Sequence, residues 1–161
     1  MEKIKSNQKI TPFLWFDSNA EEAVKFYTGI FKNSEILNSA RYTKGAAMPE
    51  GTIMTMEFTL EGQRFVALNG GPNFKFNHAV SFVINCESQE EIDYFWNKLT
   101  EGGSEEQCGW LLDKYGLSWQ VIPSNIARYF KADDSKKAER VMQAVLKMKK
   151  IIIADMEKAI K

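Results

Sequence analysis

One histidine, His78, is the entire imidazole complement of this 161-residue chain. That count excludes any two-histidine metal site, and no Ser-His-Asp arrangement can be built except around His78. Cys86 and Cys108 stand in no metal or redox spacing. In an intracellular setting they read as reduced packing residues rather than a disulfide. Nucleotide and redox loops of the Gly-x-Gly-x-x-Gly and Cys-x-x-Cys types are missing from the sequence. Two polar clusters remain. Asn69-Gly70-Gly71 could cradle an anion on backbone amides, although such a run reads first as a linker. Asp113 opens Asp113-Lys114-Tyr115-Gly116, where a carboxylate that bonds its own backbone would start a turn.

The charge balance narrows the partners. Lysine plus arginine and aspartate plus glutamate both number 21, so no bulk field draws the chain to nucleic acid or to an anionic membrane. The cluster Lys147, Lys149 and Lys150 lies in an amphipathic stretch and reads as a solvated helix face. No apolar run of about 18 residues offers a membrane span. The start, MEKIKSNQKI, lacks the apolar stretch of a secretory signal. A soluble, cytoplasmic protein is expected.

The elements that must position these residues follow from periodicity. Ile10–Phe16 reads as a buried strand entered through Pro12. Asp17, Ser18 and Asn19 offer helix-start acceptors, and Ala23, Phe26, Tyr27 and Ile30 form the apolar stripe of a helix over Ala20–Phe31. Strands follow at Ser34–Tyr42, Thr52–Leu60 and Arg64–Leu68. Turn-rich Asn69-Gly70-Gly71-Pro72-Asn73 marks a boundary. Beyond it come a strand at His78–Cys86, a helix at Ser88–Thr100 and strands at Gly109–Leu112 and Leu117–Ile122. In the tail, Pro123-Ser124-Asn125 starts a short helical turn through about Phe130. A long helix then runs from an Asp133-Asp134-Ser135 cap to Ile160, with Ala138, Val141, Met142, Val145, Met148, Ile152 and Met156 on one packing face.

Shifted by 69 positions, the first half falls on the second: Phe13 on Phe82, Glu21-Glu22 on Glu90-Glu91, Phe26 on Phe95, Tyr27 on Trp96. Recurrence at a fixed offset predicts a duplicated unit. The fold class is α+β: two β-α-β-β-β modules forming a cup-shaped mixed sheet, with C-terminal helices. As one domain, the chain divides into module one at about 8–69, a linker at 70–77, module two at about 78–123 and the tail at 124–161.

Paired modules of this kind resemble the vicinal oxygen chelate, or glyoxalase-like, superfamily. The phrases TPFLWFD, EEAVKFY, ALNGGPNFKF, AVSFVINC, YFWNKL, CGWLLDKYGLSWQVIP and AERVMQAVLKMKK resemble its PhnB-like group, often described as 3-demethylubiquinone-9 3-methyltransferase domains. The resemblance implies a site in a cup of sheet. In metal-using members, His, Glu or Gln side chains from the first and last strands of each module chelate one divalent ion. The Gly-x-x-x-Glu pattern of a last strand falls on Gly116–Gln120, so the resemblance places Gln120 and His78 at ligand positions. Their counterparts, Val66 and Lys9, are unsuitable. His78 and Gln120 are thus the metal-ligand candidates, and two donors fall short of the usual about three. No metal or other cofactor is expected; a divalent ion is the alternative.

Strand alternation then sketches a cup. An inward His78 brings Val80, Phe82 and Ile84 with it, and by the repeat Thr11, Phe13 and Trp15; an inward Gln120 brings Ser118 and Ile122. The ligand-binding candidates are His78, Gln120, Trp15, Ser118, Trp119 and Trp110, an apolar and aromatic set with few polar groups, as small-molecule sites require. Phe13 and Phe82 read as core. The methyltransferase description fits poorly, because S-adenosylmethionine usually binds Gly-rich loops after parallel strands of an α/β fold. The first expectation is a small-molecule binding module, with catalysis undecided. One alternative is a metal-dependent lyase, isomerase or dioxygenase acting on a vicinal-oxygen substrate. Another is a non-catalytic, ligand-sequestering homodimer.

Overall fold

A computed structural model describes residues 8–46, 48–130 and 135–161. Contacts divide the chain into two compact units that meet between Lys75 and Phe76.

The first unit runs β1 (Phe13–Phe16), α1 (Ala20–Ile30), β2 (Glu35–Arg41), β3 (Ile53–Leu60) and β4 (Gln63–Asn69). Its sheet has the order β1-β4-β3-β2; β1 is parallel to β4 and the other neighbours are antiparallel. Alternation decides the faces. Leu14, Phe16, Met56, Phe58, Leu60, Phe65 and Ala67 are buried toward α1, whose Ala23, Val24, Tyr27 and Ile30 form the matching stripe. Tyr27 stacks on Phe58 and Phe58 on Phe65, with ring centroids 6.5 and 5.5 Å apart.

Two local expectations are corrected here. The strand begins at Phe13 rather than Ile10, because Pro12 has no N–H to give the ladder. Ahead of it the Gln8 side chain substitutes for a strand residue: its amide donates to Arg64 O at 2.9 Å and accepts from Arg64 N at 3.0 Å. The start of α1 is not capped by Asp17, Ser18 or Asn19; Asn19 holds the cap position but makes no side-chain bond there. Instead Ala20 N–H donates to Asn69 Oδ1 at 2.8 Å, from the far end of β4.

The second unit runs β5 (Ser81–Cys86), α2 (Gln89–Thr100), β6 (Ser104–Glu105), β7 (Trp110–Leu112) and β8 (Ser118–Pro123). The sheet order is β5-β8-β7-β6, again with the outer β5 parallel to its neighbour. Ser88 caps α2 by accepting from Glu91 N, while the Glu91 carboxylate accepts from Glu87 N, a near relative of the capping box. Ile84, Cys86, Leu111, Trp119 and Val121 are buried with Ile92, Trp96 and Leu99 of α2. The duplicated β-α-β-β-β architecture is therefore present, and β6 is the strand missing from the sequence reading.

The repeat, however, has two registers. The helices start 69 residues apart, whereas the paired strand ends Phe16 and Cys86 lie 70 apart. The strand-to-helix turn is one residue shorter in the second unit. A one-residue slip exchanges the faces of a strand, so Phe13 corresponds to Val83 and Trp15 to Asn85. Phe82 and Ile84, expected inside the cup with His78, face α2 instead; Phe82 packs on Trp119 with centroids 5.6 Å apart. His78 and Val80 precede β5 altogether, in a bend where Asn77 Oδ1 accepts from Ala79 N.

The tail also differs from its expected form. The Asp133-Asp134 cap lies outside the described residues, and the single long helix is replaced by α3 (Ser135–Val145) and α4 (Ile153–Ala159). Between them the chain extends, because Cys108 N donates to Met148 O and Gly109 N to Lys149 O, at 2.8 and 2.7 Å. Carbonyls used this way cannot serve a helix. The Gln89 amide adds two bonds, to Ile151 O and from Ile153 N. Tyr129, Val141, Val145, Ile151 and Met156 form the tail's own buried cluster, with Cys108 packed against it. Met142, expected on the packing face, is 43% exposed. Lys149 and Lys150 are not a free cationic face, since they pair with Glu105 and Asp93 at 3.5 and 2.7 Å. No helix among the described residues is long and apolar enough to cross a membrane.

Candidate functional site

Each four-stranded sheet has one face toward its own helix and one far face, and the pairing registers fix which side chains share the latter. In the second unit one row of directly opposed residues is Val83, Gln120 and Trp110; the next is Ser81, Ser118, Leu112 and Ser104. The first row continues beyond β6. Glu106 N donates to Trp110 O at 2.9 Å, which sets Glu106 opposite Trp110. Glu105, one residue earlier, turns to the helix side and accepts from Trp96 Nε1 at 3.0 Å, so Glu106 points to the far side.

On this far face Gln120 Nε2 donates to Ser81 Oγ at 2.8 Å. Ser118 is fully enclosed, and its hydroxyl has no hydrogen-bond partner among the described residues. A buried hydroxyl left unpaired costs about 1–3 kcal/mol, so such groups invite an explanation. His78 joins the same face through its ring: Nε2 lies 2.6 Å from Glu106 Oε1, with both side chains reached by solvent. Trp110 is half-buried. Sequence reasoning thus selected four residues that share a face, His78, Gln120, Ser118 and Trp110, and it missed Glu106. The missing signal was strand β6, too short at two residues to show alternation.

Two candidates lie elsewhere. Trp119 points to α2, is 3% exposed and donates to Asp113 Oδ2 at 2.9 Å. Asp113 also accepts from Tyr115 N and Leu117 N through Oδ1, which fastens the turn as expected. Trp15 is on the far face of the first sheet with Phe13, Val66 and Leu68. Its indole donates to Gly71 O at 2.9 Å and meets Phe74 edge-on at 4.9 Å. Gly70 lies directly under this ring, where a Cβ would come within 2.3 Å of it. The Asn69-Gly70-Gly71 amides do not form an anion cradle, because Gly70 N and Gly71 N donate to Phe16 O and Asp17 O at 2.8 and 2.9 Å.

The donor chemistry also bears on a metal. Among the described residues no three His, Cys, Asp or Glu side chains come together. The two neighbouring donors, His78 and Glu106, are bonded to each other, and the Gln120 amide is bonded to Ser81. This set does not fit the superfamily's chelating centre. Burial also silences one nucleophile: the Cys86 thiol is pushed up to about 12, mainly by desolvation and secondarily by Glu91 and Glu87.

Comparison with known proteins places this geometry. Residues 8–122 match the family model described as 3-demethylubiquinone-9 3-methyltransferase. The structure of a PhnB protein from Bacillus cereus is 41% identical, with a TM-score of 0.67 over 72% of this chain and 99% of the other. A protein from Pseudomonas aeruginosa shares 21% identity and a TM-score of 0.60 over 73% and 98% of the two chains. The fosfomycin resistance protein FosX from Listeria monocytogenes, at 16% identity, reaches 0.53 over 78% and 98%. These last two bear on fold alone. The search of curated proteins finds no match. With its two β-α-β-β-β modules and a match across more than two thirds of its length, the chain belongs to the PhnB-like 3-demethylubiquinone-9 3-methyltransferase family, with a glyoxalase-like fold.

Proposed function

We propose that this chain binds a small, uncharged organic molecule on the far face of its second sheet, between the His78–Glu106 pair and the Gln120–Ser81 pair. The observation that carries the reading is the composition of that face. Val83, Leu112 and Ile122 give it apolar area, Trp110 a half-open aromatic ring, and Gln120, Ser81, Ser118 and Asn85 its hydrogen-bonding groups, with no lysine or arginine among them. Such a surface suits an apolar body bearing oxygen atoms and lacks the lysine or arginine that commonly pairs an anionic substrate. Native mass spectrometry of the purified chain, followed by titration with any molecule it retains, tests this. Gln120→Ala and His78→Ala should each weaken binding about tenfold, the worth of roughly one hydrogen bond, while the chain stays folded. Unchanged affinity in both variants refutes the reading.

A second proposal concerns assembly. The outer strands β1 and β5 and the residues just ahead of them present apolar side chains at corresponding positions: Ile10 and Val80, before the strands, are 86% and 67% exposed, and Phe13 and Val83, within them, 58% and 46%. Matching apolar edges on both modules favour a homodimer closed by two-fold symmetry. Light scattering that finds a monomer at micromolar concentration defeats it.

A further inference from the structure

We infer that residues 77–80 form a strap latched across the far face of the second sheet, closed over a polar subsite of Ser118, Ser81 and Gln120 that takes an acceptor oxygen of an uncharged ligand. The ligand half of this inference rests on the binding reading above; the strap does not.

The strap follows from distances. β5 and β6 are the two outer strands of the sheet, three spacings or about 14 Å apart. His78 precedes β5 by three residues, which is at most about 11 Å of chain. Its ring nevertheless reaches Glu106, at the end of β6, 2.6 Å away and on the far side. The backbone between His78 and Ser81 therefore turns on the far side from β5 toward β6 instead of continuing the line of the strand, and the two side chains span the remaining distance. The turn in which Asn77 Oδ1 accepts from Ala79 N shapes its start.

Ser118 supplies the independent observation. It stands on β8, on the face the strap crosses and opposite Ser81, fully enclosed and with its hydroxyl unpaired among the described residues. A hydroxyl held there with no partner is a donor awaiting an acceptor. Its neighbours extend the recognition: Ser81 Oγ already accepts from Gln120, so its own O–H is left to donate, and the Gln120 carbonyl can accept. A carbonyl or ether oxygen would satisfy Ser118, and no lysine or arginine stands on these strand rows to pair a carboxylate or phosphate. The strap itself is lightly held. His78, Ala79 and Val80 are exposed, so few buried contacts oppose its lifting.

The test uses the full chain with Ser118→Cys and N-ethylmaleimide, an uncharged molecule with two carbonyl oxygens. Labelling joins the thiolate sulfur to an alkene carbon, and the adjacent carbon takes a proton from water. Peptide mass spectrometry separates position 118 from Cys86 and Cys108. Adding Glu106→Gln or His78→Ala should raise the labelling rate at position 118 about two- to fivefold, the shift expected from loss of one solvent-reached pair. Matching circular dichroism spectra and melting profiles would show that the fold is kept. An unchanged rate in both latch variants, or labelling in the parent Ser118→Cys chain as fast as that of a free thiol, overturns the strap. Because this experiment needs no native ligand, its failure is distinct from failure of the binding reading, which mass spectrometry and titration decide.

Discussion

Substituting Asn69→Ala probes the joint on which the first module turns. Asn69 is 6% exposed, and its side chain works in two directions, accepting from Ala20 N at 2.8 Å and donating to Ile53 O at 3.0 Å. The first bond caps α1, a contribution of about 0.5–2 kcal/mol. The second satisfies the carbonyl at the head of β3, worth about 1 kcal/mol. Together they predict a loss of about 1.5–3 kcal/mol, or a fall in Tm of about 3–12 °C for a chain of this size. Urea denaturation followed by circular dichroism measures it. Asn19→Ala is the control: Asn19 occupies the cap position but its side chain makes no cap bond, so its loss should stay within about 0.5 kcal/mol. Asn69→Asp keeps the cap acceptor but sets an oxygen against the Ile53 carbonyl, and should fall between the two. If Asn69→Ala costs less than about 0.5 kcal/mol, or if Asn19→Ala costs as much, the long-range cap is wrong.

Two more outcomes follow from the second module. Asp113→Ala removes one buried carboxylate that receives Tyr115 N, Leu117 N and Trp119 Nε1; it should cost about 3–5 kcal/mol in the same urea assay and redshift the tryptophan emission. Acid should loosen the tail before the sheet. The Asp93 carboxylate is held below its ordinary range chiefly by its bond from Lys150 and then by Gln89; Glu105 is lowered by the Trp96 indole and then by Lys149. For carboxylates lowered by folding, the stabilisation is complete above the unfolded value and is lost as pH falls through the lowered folded one. The attachment of residues 148–151 should therefore be intact at pH 6 and weaken below about pH 4, seen as a fall in amide protection in that segment once each rate is referred to the intrinsic exchange rate at that pH. Protection that is unchanged down to pH 3 would refute this.

Much of the fold was legible because each module repeats a strong local pattern. The stripe Ala23, Tyr27 and Ile30 and the alternation of Met56, Phe58 and Leu60 are periodic enough to read directly. What escaped reading was set by partners distant in sequence. The cap on α1 comes from Asn69, invisible to a search among Asp17, Ser18 and Asn19. The break after α3 comes from amides on Cys108 and Gly109 that claim the carbonyls of Met148 and Lys149, although the side chains continue a helical stripe through Met156. The two-register repeat hid in plain composition: Phe13 and Phe82 are the same residue type, and only the strand pairing reveals that they face opposite ways. Of the six candidate site residues selected by chemistry, His78, Gln120, Ser118 and Trp110 share one sheet face, while Trp15 and Trp119 do not. Residue chemistry could not find Glu106, whose partner lies 28 positions away.

The tail's docking has a consequence for divergence. Residues 148 and 149 are bound to the β6–β7 hairpin through their carbonyls, which every amino acid possesses. Gly109 is the exacting partner: its φ is +84°, and a Cβ there would come within 2.8 Å of Val121 O. Drift along the tail can thus proceed with little penalty at these two positions, whereas a side chain at Gly109 would disturb the hairpin end of both bonds. Among relatives, a glycine at this corner should be a better marker of a docked tail than any similarity in the tail itself.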